Sequence, residues 1–124
     1  MAKRILVVDD DASIRTLLTA NLSADGYDIV TAVNGVEAMS KLAEGGIDLV
    51  ILDIMMPQKD GWEVCKTIRD SEDDHRQKII MLTARDTPRD KMVGKGLLGA
   101  DEYVTKPFDI DDLMTLVARM LGDE

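Results

Sequence analysis

Apolar residues along this chain fall into two alternating rhythms. Ile5-Leu6-Val7-Val8, Leu49-Val50-Ile51-Leu52 and Ile79-Ile80-Met81-Leu82 are unbroken runs that each give way to polar residues. Runs of this kind read as strands buried on both faces, the habit of a parallel sheet with helices on each side. Two weaker runs, Asp28 to Val33 and Glu102 to Thr105, complete a set of five strands. Between the strands the period changes to a helical one: Ile14, Leu17, Leu18 and Leu22; then Val36, Met39 and Leu42; then Trp62, Cys65 and Ile68; and last Ile110, Leu113, Met114, Val117 and Leu121. The first helix is predicted from Asp11 or Ala12 to Ala24, with Asp11 as N-cap and Gly26 as its stop. Asn34-Gly35 opens the second helix, which Gly45-Gly46 ends. A fourth helix is predicted over Arg89 to Leu98, frayed or irregular because Gly94 and Gly96 each cost roughly 1 kcal/mol there relative to alanine. Strands and helices alternate with short links, which predicts right-handed crossovers and an α/β, doubly wound parallel sheet.

Composition narrows the class. A chain of 124 residues with 45% apolar content is one domain that buries its own core. The single cysteine, Cys65, excludes a disulfide framework and suits the reducing cytoplasm. Met1 to Lys3 lead into an apolar run far too short for a signal peptide or a membrane span. A net charge of -9 argues against direct nucleic-acid binding, which needs a basic patch, and suits a soluble module or a cation site.

The chemistry collects where the strands end. In open α/β sheets the loops after the strands form a crevice at their C-terminal ends. With the first, third, fourth and fifth strands side by side, those ends bring together Asp9 and Asp10, Asp53, Thr83 and Lys106. Clustered carboxylates repel unless a cation holds them, and an all-oxygen donor set favours Mg²⁺. An ammonium and a hydroxyl nearby are what a phosphoryl group needs on its oxygens during transfer. A carboxylate among them is a candidate nucleophile that forms an acyl phosphate.

The run Leu6-Val7-Val8-Asp9-Asp10, the segment Asp53-Ile54-Met55-Met56-Pro57 with Asp60-Gly61, the Leu82-Thr83-Ala84 tip, and Gly99-Ala100-Asp101-Glu102-Tyr103 leading to Lys106-Pro107-Phe108 occur in this order. Together they resemble the receiver domain of two-component response regulators over the whole chain. The resemblance implies a single flavodoxin-like sheet of order 2-1-3-4-5, (βα)5, spanning residues 1–124 with no effector domain. It implies that Asp53 accepts a phosphoryl group from a sensor histidine kinase or phosphotransfer protein. Mg²⁺ is then held by Asp9, Asp10, Asp53 and the main-chain carbonyl of Met55. Lys106 pairs with the phosphoryl group, the Lys106-Pro107 bond is cis, and Thr83 and Tyr103 form a switch. The switch acts on the surface of the fourth helix, fifth strand and fifth helix, where an unknown downstream protein binds. Met55 and Arg85 occupy the positions that tune the lifetime of the phosphoryl group. The implied protein is a cytoplasmic signalling phosphoacceptor whose only catalysis is self-phosphorylation and slow autodephosphorylation.

Each motif also has a duller reading. A lone aspartate after a strand is commonly a cap, and Asp11 and Asp60 are read that way. Asp53 is followed by a loop and has no helix to cap. Gly94-Lys95-Gly96-Leu97-Leu98-Gly99 spells a dinucleotide loop, but it does not follow a strand and open a helix, so it is rejected. His75 is read as solvated and the methionines as mostly core filler. The interval from Thr83 to Lys106 is one residue longer than the commonest family spacing, with the excess around Gly94-Lys95-Gly96, so the fourth helix is expected to be shifted, bulged or shortened there. Asp101 and Glu102 supply acids for pairing of two receivers, but the last helix offers only Arg119 as a base. The expectation is a monomer or a weak, phosphorylation-dependent dimer, either stand-alone or excised from a longer regulator. A haloacid-dehalogenase type phosphatase needs a second aspartate two positions after the nucleophile, where this chain has Met55. A degenerate receiver acting only as a scaffold is the third reading, opposed by the complete acidic set with Thr83 and Lys106.

Overall fold

The computed structural model describes residues 2–53, 61–70, 77–84, 92 and 100–122. Its elements are β1 (Arg4–Val8), α1 (Ala12–Ala24), β2 (Asp28–Ala32), α2 (Gly35–Ala43), β3 (Leu49–Leu52), α3 (Gly61–Asp70), β4 (Lys78–Thr83), β5 (Glu102–Thr105) and α4 (Ile110–Leu121). Met55, Arg85, His75, the side chain of Trp62 and the helix predicted over Arg89 to Leu98, apart from Met92, lie outside the described residues.

The five strands form one parallel sheet in the order β2-β1-β3-β4-β5. Successive side chains of a strand point to opposite faces, so each apolar run feeds two cores at once. Leu6 and Val8, Val50 and Leu52, and Ile79 and Met81 join one cluster, with Ala38, Val64, Cys65 and Ile68 of α2 and α3. Ile5 and Val7, Leu49 and Ile51, and Ile80 and Leu82 join the other, with Leu18 and Leu22 of α1 and Leu113, Val117 and Leu121 of α4. The unbroken runs at β1, β3 and β4 are unbroken because both faces of those strands are covered.

The helix ends follow local chemistry. Asp11 caps α1 by accepting the Ser13 N–H, and Asn34 caps α2 by accepting the Glu37 N–H at 2.8 Å. Asp109 caps α4 through the Asp112 N–H, and Gly122 closes it at φ 75°, a left-handed turn that glycine adopts without a Cβ clash. Lys3 Nζ donates to the Leu121 carbonyl, tying the start of the chain to the end of α4.

The apolar pattern overreaches at four positions. β2 ends at Ala32, the last residue in register with β1, and Val33 is 38% exposed in the turn beyond it. Leu17 is 40% exposed because the buried line of α1 runs through Leu18 and Leu22, which leaves Leu17 on its shoulder. Val36 is 57% exposed because α2 turns Gly35 and Ala38 inward. Met92 is 65% exposed, an exception to the reading of the methionines as mostly core filler.

Candidate functional site

The sheet builds the site through its register. Val8 pairs with Leu52 at the end of the β1–β3 ladder, so Asp9 and Asp53 are the next residues out on neighbouring strands. Main-chain bonds hold both: Asp9 N–H to the Ala32 carbonyl at 3.2 Å and Asp53 N–H to the Val8 carbonyl at 3.0 Å. Asp9 is 2% exposed and Asp53 6%, while Asp10 is exposed. The three side chains offer carboxylate oxygens within 4.8 Å of one another.

Lys106 reaches this cluster from the opposite side. The Lys106 N–H donates to the Thr83 carbonyl at 2.8 Å, which continues the β4–β5 pairing past Thr105. Its Nζ then donates to Asp9 Oδ2 at 2.7 Å and to Asp53 Oδ2 at 2.9 Å. The Lys106-Pro107 peptide is cis, as the family resemblance implies. Burial is the largest influence on Lys106 and works to lower its pKa, but the two carboxylates outweigh it and leave it above the ordinary 10.5. Burial also dominates at Asp9 and raises its carboxyl above the usual 3.8, against the opposing pull of Lys106 and the Asp11 N–H.

Thr83 is fully buried at the tip of β4. Met81 lies opposite Tyr103, and Thr83, two residues on, shares the sheet face of Met81. Tyr103 is half-buried and packs on that side, so the two proposed switch residues occupy one face of adjacent strands, a short diagonal apart. The structure thus brings Asp9, Asp10, Asp53 and Lys106 into one constellation, joins Thr83 to it through the Lys106 main chain, and sets Tyr103 on the sheet face that Thr83 shares. Met55 and Arg85 lie outside the described residues.

The sequence reading passed over Arg15. Its Nη1 donates to the main-chain carbonyl of Asp9 at 2.7 Å, from one helical turn beyond the cap residue Asp11. The signal available was its spacing of four residues from Asp11, which sets it over the acidic tip. Asp101, read as an acid of a pairing surface, accepts the Ile79 N–H at 2.8 Å and so fastens the start of β4.

A doubly wound parallel sheet with three carboxylates beyond its central strands β1 and β3, and a lysine reaching them from beyond the edge strand β5, defines an α/β protein with an acidic cleft at the carboxyl end of its sheet. The family model for the response regulator receiver domain matches residues 5–118, and the chain belongs to that family. It is 47% identical over 125 residues to the alkaline phosphatase synthesis transcriptional regulatory protein PhoP of Bacillus subtilis (strain 168), with 98% of this chain covered. The chain spans about half (49%) of that relative's length. Among solved structures, the response regulator TrrA of Thermotoga maritima in complex with Mg²⁺-BeF is 47% identical, with a TM-score of 0.80 over 95% of this chain and 98% of that one. Chemotaxis response regulator CheY4 of Vibrio cholerae is 33% identical, with a TM-score of 0.88 over 97% and 99%. The acidic pocket of Asp9, Asp10 and Asp53 fits the phosphoacceptor site of this family. No helix among the described residues is long and apolar enough to cross a membrane.

Proposed function

We propose that this chain is a cytoplasmic signalling phosphoacceptor in which Asp53 takes a phosphoryl group from a histidine kinase or phosphotransfer protein. The observation that carries the reading is the convergence of Asp9, Asp10 and Asp53 within 4.8 Å with Lys106 Nζ 2.9 Å from the Asp53 carboxylate. In the transfer, an Asp53 carboxylate oxygen attacks phosphorus, the P–N bond of a phosphohistidine breaks, and the imidazole keeps the electron pair and takes up a proton. Lys106 is already placed to move its hydrogen bond from the carboxylate to an oxygen of the incoming group.

The donor set fits a hard divalent cation, since three carboxylates lie within 4.8 Å of one another, two of them buried, and Lys106 brings a single positive charge to both buried acids. Asp9, Asp10 and Asp53 would hold Mg²⁺, which when bound supplies positive charge to the phosphoryl oxygens. A new dianion on Asp53 draws the buried Thr83 hydroxyl toward it. Tyr103 then has room to turn inward, which biases the surface around β5 and α4 for a downstream protein. Beyond its own phosphorylation and slow dephosphorylation the chain turns over no substrate.

Beryllium fluoride with Mg²⁺, added to isotope-labelled protein, tests the reading. Shifts of the Asp53, Thr83 and Tyr103 amides in the native chain, absent in Asp53→Asn, support it. Steady hydrolysis of a small phosphate ester would instead favour an enzyme.

A further inference from the structure

Asp9 is held at every polar group it has. Its N–H donates to the Ala32 carbonyl, Oδ1 accepts the Asp11 N–H at 2.9 Å, and Oδ2 accepts Lys106. The remaining group is the main-chain carbonyl, which lies past the last ladder pair and outside the hydrogen-bonding of α1. Arg15 Nη1 takes it at 2.7 Å. That carbonyl belongs to the peptide joining Asp9 to Asp10, so fixing it fixes the plane from which Asp10 departs. Asp10 is exposed, and its direction is set by the main chain rather than by packing.

We propose that Arg15 is a positioning residue for the acidic site: it clamps the Asp9-Asp10 peptide so that both carboxylates face the Asp53 carboxylate. The proposal rests on the reading of Asp9, Asp10 and Asp53 as the Mg²⁺ site. Arg15 touches none of the carboxylate oxygens in the structure and acts through the peptide alone. A charge role and a positioning role have opposite signs here. Removing a nearby cation strengthens the field that attracts Mg²⁺, whereas releasing the peptide lets Asp10 wander and weakens binding.

The test is titration of the metal-free protein with MgCl₂, followed by amide chemical shifts, for the native chain, Arg15→Met and Arg15→Lys. Positioning predicts that Arg15→Met binds Mg²⁺ about tenfold more weakly, the size of effect typical for groups that orient metal ligands. Arg15→Lys, which keeps a donor on a long stem, recovers affinity to within about threefold. Without any metal, the Asp11 amide, bonded to Asp9 Oδ1, exchanges faster with solvent in Arg15→Met than in the native chain. Unchanged or tighter Mg²⁺ binding by a folded Arg15→Met overturns the proposal. If that variant does not fold, Arg15→Gln is titrated on the same scale with the same criterion. Failure of the native chain to bind Mg²⁺ would instead remove the metal-site reading on which the proposal stands.

Discussion

Lys106 Nζ lies 2.9 Å from Asp53 Oδ2 while also holding Asp9 Oδ2 at 2.7 Å, a bridge between two acids that sit 3% and 8% exposed at the side chain. A bridging ammonium on buried carboxylates is an internal counter-cation, and removing it takes away the positive charge that the two acids share. Lys106→Met is therefore expected to lower the stability of the metal-free protein by about 3 kcal/mol at neutral pH. Mg²⁺ restores part of the loss by binding only the folded form. Because the Lys106 pKa is raised in the folded state, its contribution is fully present below the unfolded value of 10.5 and is lost as pH rises through the folded one. Chemical denaturation of both proteins from neutral to alkaline pH checks this; a gap that is absent at neutrality contradicts it.

Asp9 carries the opposite sign. Its folded carboxyl is raised above 3.8 by burial, so the ionised form costs the native state stability. That cost is full above the folded pKa and vanishes below the unfolded 3.8. Asp9→Asn removes it, and the variant is expected to melt higher than the native chain at pH 7 without Mg²⁺. The gain shrinks as pH falls toward about 4. Thermal melts across that range decide the point, and a variant that melts lower at pH 7 sinks it.

Two helix caps separate a charged from a neutral contribution. The Ser13 hydroxyl and N–H both donate to Asp11 Oδ1, at 2.6 Å and 2.9 Å, and hold the Asp11 carboxyl below its ordinary value. Its stabilising effect is present above 3.8 and is lost as pH falls through the lower folded pKa. Asp11→Ala should therefore destabilise at neutral pH and become neutral in strong acid. Asn34→Ala should cost about 1 kcal/mol at every pH, since an amide cap does not titrate. Equal pH dependence in the two variants would contradict the assignment.

How much of this was legible depends on range. The strands β1, β3 and β4 were readable because burial on both faces leaves no polar break, and the caps at Asp11 and Asn34 because capping is local. Leu17 and Val36 were misplaced because a helical period gives the direction of an apolar face but not its width. The meeting of Lys106 with Asp9 spans 97 residues and followed only from strand order and family resemblance. Asp101 on the Ile79 N–H uses a main-chain group as its partner, which no side-chain pattern in a sequence marks, and Arg15 on the Asp9 carbonyl left only its spacing from Asp11 as a signal.

Thr83 is fully buried, accepts the Lys106 N–H at its carbonyl and lies on the face of Tyr103. Thr83→Ala is expected to leave phosphorylation of Asp53 in place and to abolish the shift of the Tyr103 ring resonances on activation by beryllium fluoride. Ring shifts equal to those of the native chain would show that Thr83 does not relay the change.

The most direct measurement is the intact mass of the protein before and after incubation with acetyl phosphate and Mg²⁺, for the native chain and Asp53→Ala. A single phosphoryl increment in the native chain alone, lost when Mg²⁺ is withheld, is the predicted result. No increment in the native chain, or the same increment in Asp53→Ala, would contradict the assignment of Asp53 as the acceptor.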